Sequence, residues 1–290
     1  MADIDPQTIL ARQVLLDAIE ALHAHRPALV VVGAQAVYLH TGTGGIAVAA
    51  YTFDGDLVLD PTLLDDDPTL DRAMTDAGFS LMKRRDNVQP GTWVTSRRSG
   101  VEEFIVPVDL IVPEAFAPGN PSRRSVQLGA HDKMAVRRTH GLEAALVDNG
   151  VMRLDSLSPG DPRSVDVNVA GPAALLVAKL HKLHDRSGPG QTPDRLRDKD
   201  AADVYRLMQT FSAATIAARL AELRNHPQAG PATEEAVGYL RTLFAAPRST
   251  GTGMAVSALG AAIPEARVRA VATAWTRAVL EPLMYGWQGR

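Results

Sequence analysis

The chain has no cysteine in its 290 residues, which excludes disulfides, thiolate zinc sites and a cysteine nucleophile in one step. No window approaches the roughly 18 uninterrupted apolar residues of a membrane span. The first residues, MADIDPQTILARQ, carry acids where an export signal would need bases, so none is expected and a reducing cytoplasm is the expected compartment. No internal repeat and no long low-complexity tract interrupt the chain. TGTGG at residues 41–45 lacks the lysine and hydroxyl residue of a P-loop and does not open a helix in a dinucleotide-binding unit. No DNA-reading helix-turn-helix is visible.

What is present suits a globular chain long enough for two domains: 46% hydrophobic and 22% charged residues, with a net charge of -3. That small net charge hides a polarity along the sequence. Residues 54–76 hold eight aspartates against Arg72 alone. Residues 83–98 and 123–138 are basic, with Lys83, Arg84, Arg85, Arg97 and Arg98 in the first and Arg123, Arg124, Lys133, Arg137 and Arg138 in the second. An acidic site beside basic segments suits a polyphosphate or nucleic-acid partner, whereas solvated loops account for the basic runs taken alone.

The stretch 28–60 organises the rest. An apolar run ends at Gly33 and passes into AQAVYL, whose spacing fits a short helix. After the glycine-rich turn a second apolar stretch carries Asp54 and Asp56 and continues as Leu57, Val58 and Leu59. Side chains alternate along a strand, so the two aspartates share a face and Gly55 leaves the other face small. Two carboxylates on one edge are costly unless a cation lies between them, and a hard divalent ion is the usual partner.

Ahead of this stretch the spacing predicts a helix over 6–25, capped by Asp5 with Pro6 at its first position. After it come a helix over 68–77, strands over 79–84 and 92–97, and a strand over 101–112 in which Phe104, Val106, Val108 and Leu110 share one face and Asp109 lies on the other. Pro107 marks that strand as irregular and accessible, so Asp109 is a candidate third carboxylate, or a solvent-facing residue. Residues 113–166 read as loops and short strands with a helix over 142–148. A boundary near residue 165 leads into a helical remainder, with a flexible loop at 245–253 and Trp275, Tyr285 and Trp287 as packing or interface residues.

In that remainder, PAALLVAKLHKLHDR places Lys179, Lys182 and Arg186 beside a stripe of Leu176, Leu180 and Leu183. RDKDAADVYRLM places Asp200 and Asp203 one turn apart, with Lys199 able to reach Asp203. Joined by SGPGQTP, the two segments form an antiparallel hairpin presenting cations and anions to a common cleft. HAH at 23–25 and HKLH at 181–184 have metal-compatible spacing, but HKLH lacks a glutamate base and no zinc site is expected from either.

Together the glycine-ended strand, the T-x-D-x-D run of Thr52, Asp54 and Asp56, the later strand acid Asp109, and Lys179 with Asp200 and Asp203 resemble the nucleotidyltransferase superfamily that includes DNA polymerase β. Within it the chain is similar to the AbiEii/MenT-type toxins of type IV toxin–antitoxin systems. The resemblance spans about residues 28–208. It implies an α+β fold, with a polymerase β-like mixed sheet and flanking helices over 1–165 and a helical domain over 166–290. It implies Mg²⁺ or Mn²⁺ on Asp54, Asp56 and Asp109, and an NTP held by Gly33, Ala34, Thr52, Lys179, Lys182 and Asp200. Asp54, Asp56, Asp109, Lys179 and Asp203 would be the catalytic set. NMP would pass from the NTP to an acceptor hydroxyl, with tRNA or another RNA as the acceptor and a separate antitoxin protein as partner. Relatives often carry Gly-Gly or Gly-Ser where this chain has Gly33-Ala34, which removes a phosphate-contacting hydroxyl, and an arginine where Ala49, Ala50 and Tyr51 stand. A small-molecule nucleotidyltransferase of the aminoglycoside type fits the pI of 6.2 better, and a non-catalytic nucleotide-binding member is the third reading.

Overall fold

A computed structural model describes residues 4–42, 52–187, 195–260 and 262–285, without the side chains of 195–197 and 285. Helix α1 (Pro6–Ala21) opens the chain. The Asp5 carboxylate accepts from the backbone N–H of Gln7 at 2.9 Å and of Thr8 at 3.3 Å, satisfying donors that a first helical turn leaves free. The helix stops four residues short of the expected His25, and the chain continues as a 3₁₀ turn, His23–Ala28. Pro27 lies in this turn; it has no N–H to give to an α-helix and disfavours the helical conformation before it.

Strand β1 (Leu29–Val32) is buried at every residue and runs straight into α2 (Gly33–Thr41). Strand β2 (Gly55–Leu59) lies antiparallel to β1 and parallel to β5 (Glu102–Pro113). Between them stand α3 (Leu70–Asp76), β3 (Ser80–Arg84) and β4 (Asn87–Ser99), the last two pairing antiparallel and β4 continuing onto β5. Helix α3 begins at Leu70 because the Thr69 hydroxyl caps it. Three further strands complete a mixed eight-stranded sheet: β6 (Arg137–Thr139), parallel to β5, and the antiparallel pair β7 (Asn149–Asp155) and β8 (Ser164–Ala170). The order is β3-β4-β5-β2-β1-β8-β7, with β6 set beside β5 off this path.

The helix expected over 142–148 is a 3₁₀ turn, Glu143–Leu146. Asp148 is needed elsewhere: its carboxylate accepts from Ala174 N at 3.0 Å and from the Arg219 guanidinium at 2.9 Å, and its carbonyl accepts from Gly171 N at 2.7 Å. It thereby caps α4 (Pro172–Arg186). The boundary expected near residue 165 falls inside β8, and the helical run begins at Pro172. That run comprises α4, α5 (Arg195–Thr210), α6 (Ala213–Arg224), α7 (Gly230–Phe244), α8 (Thr250–Leu259) and α9 (Glu265–Tyr285).

The loop expected over 245–253 is cut short, since α8 begins at Thr250. Gly251 serves close approach there: an added Cβ would lie 2.8 Å from the Leu243 carbonyl and from the Phe244 ring. Trp275 packs in the core and donates its indole N–H to the Phe211 carbonyl at 2.8 Å, while the Tyr285 side chain and Trp287 lie outside the described residues. One connected core joins the sheet to the helices, with Leu15, Leu57, Leu110, Leu176 and Tyr205 all below 2% exposed.

Candidate functional site

The aspartate geometry follows from the pairing of β2 with β5. Asp56 stands directly opposite Asp109 in the parallel register, and opposite Val32 on the other side, where β1 ends. Asp54 comes one residue before β2 begins. Gly55 faces the opposite side, where Leu15 of α1 fills the space: a Cβ on Gly55 would lie 3.1 Å from the Leu15 methyl. Alternation thus leaves Asp56 on one face of β2 and helix packing on the other, while Asp54, expected in the strand, stands just ahead of it.

Gly33 is shaped for the same cluster. Its φ of +72° is a left-handed conformation that favours glycine, and an added Cβ would run into the Asp56 carboxylate. The strand ends at a glycine so that the acid can rest against the start of α2. Ala34, the next residue, is buried in that first turn.

Thr52 is fully buried; its N–H donates to the Thr8 hydroxyl at 3.1 Å and its own hydroxyl donates to Asp54 Oδ1 at 2.8 Å. Burial pushes the Asp54 carboxyl up, but Lys199, Lys182, the Thr52 hydroxyl and Lys179 together outweigh it and hold the group below its ordinary value. Asp56 goes the other way. Burial first and the Asp54 charge second raise it to about 6; Asp109 adds to this, and Lys182 and Arg137 oppose it. Asp109 accepts from the Arg137 guanidinium at 2.7 Å through Oδ2, while its buried Oδ1 has no hydrogen-bond partner among the described residues.

Helices α4 and α5 form the expected hairpin, but its charges are distributed differently from the expectation. The Lys179 ammonium donates to Asp200 at 2.7 Å and to Asp203 at 2.6 Å, all three groups being buried. Burial lowers the Lys179 pKa, and the two carboxylates overcome this and leave it raised. Asp200 also accepts from Arg186 at 2.6 Å and lies 3.7 Å from the Lys182 ammonium. Lys199, expected to reach Asp203, makes no ion pair among the described residues and instead contributes its charge at Asp54.

A cavity of about 280 Å³ opens beside this cluster, lined among others by Gly33, Asp56, Lys179, Lys182, Arg137 and Arg186. Of the sequence-predicted residues, Gly33, Asp56, Lys179 and Lys182 face it directly. Asp109 is joined to it through Arg137, Asp54 and Thr52 are bonded to each other outside its wall, and Asp200 and Asp203 hold Lys179. Sequence reasoning missed Arg137, Thr139 and His140, which reach the cavity wall because β6 pairs with β5. Of the two basic segments, Arg137 alone contributes to that wall; Arg97 turns away to Asp17, and Arg138 donates to the Ala117 and Pro118 carbonyls.

Another hollow, lined among others by Asp17, Glu20, Arg97 and Arg163, has no glycine-ended strand in its wall. Among known proteins, no protein-family model, no curated protein and no solved structure matches the chain.

Proposed function

We propose that the chain is a metal-dependent nucleotidyltransferase that moves NMP from an NTP to an acceptor hydroxyl, with tRNA or another RNA as acceptor. The observation that carries this reading is the set of Asp54, Asp56 and Asp109 beside a cavity with cationic walls. Burial and then the neighbouring like charges raise Asp56 to about 6, and Asp109 keeps a buried oxygen without a hydrogen-bond partner among the described residues. Both features suit a hard divalent cation, Mg²⁺ or Mn²⁺, around which these three carboxylates would have to draw closer, since among the described residues only His140, His181 and Glu235 already stand at ligand spacing. When bound, such an ion would supply positive charge to offset that of the triphosphate and of the departing pyrophosphate.

The chain's own residues supply the remainder. Lys182, Arg186 and Arg137 line the cavity as charges for a triphosphate. Lys179 adds to that field, and its pairing with Asp200 and Asp203 fixes it in place; these two acids are therefore positioning residues. Of the start of α2, Gly33 reaches the cavity wall, where a glycine with positive φ puts no side chain between a phosphate and the backbone. In the transfer, the acceptor oxygen forms a bond to the α-phosphorus as the bond to the β-phosphate bridge breaks. Pyrophosphate leaves, and the hydroxyl proton passes toward the Asp109 carboxylate.

The test is incubation with each of the four α-labelled NTPs, Mg²⁺ and total RNA, comparing wild type with Asp56→Ala. Label in a discrete RNA band, absent with Asp56→Ala, supports the reading and names the nucleotide. Label in no RNA band, together with undiminished NTP binding by Asp56→Ala, overturns it. The two basic segments do not converge on the cavity, apart from Arg137, and this favours a small-molecule acceptor as the second reading. An antitoxin partner belongs to the toxin-type reading and stands or falls with the RNA result.

A further inference from the structure

Three side chains from separate elements converge at one edge of the cavity: His140, which follows β6, His181 in α4 and Glu235 in α7. Their ligating atoms all lie within 4.8 Å of one another. His140 Nε2 is 2.7 Å from Glu235 Oε2, and His181 Nδ1 is 4.0 Å from the same oxygen.

The other nitrogen of each ring is already engaged. His181 Nε2 lies 2.8 Å from the Ala232 carbonyl. A carbonyl only accepts, so Nε2 carries the hydrogen and the neutral ring presents its lone pair at Nδ1. His140 Nδ1 faces Glu143 Oε1 at 3.5 Å. Glu143 is 1% exposed, and its carboxylate is fixed by the backbone N–H of Gly141 at 2.7 Å and of Ala115 at 3.4 Å. A carbonyl or carboxylate behind each imidazole is the arrangement that sets the tautomer and ring orientation of metal-bound histidines.

The backbone is adapted to the same juxtaposition. Gly141 has a φ of +88°, and a Cβ on it would overlap the His181 ring. The run His140-Gly141-Leu142-Glu143 thus places one ligand, admits the second and orients the first. The two rings meet edge to face, with centroids 4.9 Å apart at 89°; two imidazoles on one tetrahedral ion, with metal–nitrogen bonds of about 2.0–2.1 Å, have centroids about 5 Å apart. His184, the partner that HKLH spacing would offer, instead stacks on Tyr239 at 3.9 Å and 9°.

We propose that His140, His181 and Glu235 form a three-ligand site for a divalent ion of the Zn²⁺ class, distinct from the hard-cation set at Asp54, Asp56 and Asp109. Two imidazoles and one carboxylate suit Zn²⁺ and leave a fourth position for water, whereas Mg²⁺ keeps to oxygen ligands. Glu235 is 48% exposed and has room to move its oxygen to the roughly 3.3 Å ligand spacing of a tetrahedral ion. The ion would tie α7 and α4 to the turn after β6, whose Thr139 and His140 line the cavity. This site does not depend on the nucleotidyltransferase reading.

The test is titration of the full chain, in excess Mg²⁺ to occupy the acidic set, with Co²⁺ as the visible probe for Zn²⁺. The expected result is one equivalent of Co²⁺ with the intense absorption of a tetrahedral site, displaced by Zn²⁺. Affinity should fall by roughly 100-fold or more in Glu235→Gln and in His140→Asn, and by roughly 10–100-fold in Glu143→Gln. It should be unchanged in Asp56→Asn. Glu235→Gln alters a half-exposed group, and its circular dichroism and melting in EDTA report whether it folds. The proposal is overturned if wild type takes up no Co²⁺, if folded Glu235→Gln binds as tightly as wild type, or if the signal is lost in Asp56→Asn and kept in Glu235→Gln.

Discussion

Asp56 carries a charge that its surroundings resist. Burial, Asp54 and Asp109 all act against its ionisation and raise it to about 6. Like charges held together in a folded protein cost stability in the absence of a counter-ion. Asp56→Asn is therefore expected to raise the melting temperature in metal-free buffer and to abolish the rise that the proposed site predicts for wild type on adding Mg²⁺; differential scanning fluorimetry with and without EDTA reads both. Gly33 has less latitude than any other cavity residue, since its φ is +72° and its missing Cβ is the space that Asp56 occupies. Gly33→Ala should cost about 1–3 kcal/mol in urea unfolding from backbone strain alone, and should weaken nucleotide binding as Asp56 is displaced. Glycine-to-alanine changes at the solvent-facing Gly150 and Gly238, where a Cβ meets nothing within 4 Å, are the controls. At this scale much was readable in advance: a strand ending in glycine, then D-G-D, states the spacing of the acids and the small residue between them. Arg137 was not readable as the partner of Asp109, because 28 residues separate the two and only the pairing of β5 with a three-residue strand joins them.

At the scale of elements, α4 and α5 are held together by a buried ionic cluster as well as by leucines. Lys179 is 3% exposed, with Asp200 and Asp203 at 0% and 2%. Removing the cation leaves two acids buried against each other, so Lys179→Met should destabilise the chain by about 3–5 kcal/mol in chemical denaturation. The cluster also sets a direction for pH. Burial raises Asp200, but Lys179, Lys182, the Lys179 hydrogen bond and Arg186 outweigh it and hold the group below its ordinary value. A carboxyl lowered in the folded state contributes stability that is present above its unfolded value near about 4 and lost as the pH falls below it. The melting-temperature gap between wild type and Asp200→Asn should accordingly be widest near neutrality and should narrow in acid. The heptad-like cations and the paired acids announced this hairpin in the sequence, because helical spacing is local. The partner of each charge was less legible: Lys199 to Asp203 satisfies the one-turn rule, yet packing against α4 delivers Lys179 instead. The helix expected over 142–148 failed for a comparable reason, as Asp148 is recruited to cap α4 across the fold.

For the whole molecule, the mixed sheet carries Asp56 and Asp109 at the centre of its order, on β2 and β5, and α4 supplies the helical wall of the cavity beside them. The change from sheet to helix was legible in composition to within a few residues, although β8 extends past the expected boundary and pairs with β1. The convergence of His140, His181 and Glu235 left no local signal, since 95 residues separate the first from the last. The proposed metal-dependent triphosphate site of Asp54, Asp56 and Asp109 is tested most directly, without knowledge of the acceptor, by calorimetric titration of a non-hydrolysable NTP analogue. Binding that requires Mg²⁺ and is lost in Asp56→Asn is the predicted result. Binding that is indifferent to Mg²⁺ and equal in the two proteins, or no binding to wild type at all, would contradict it.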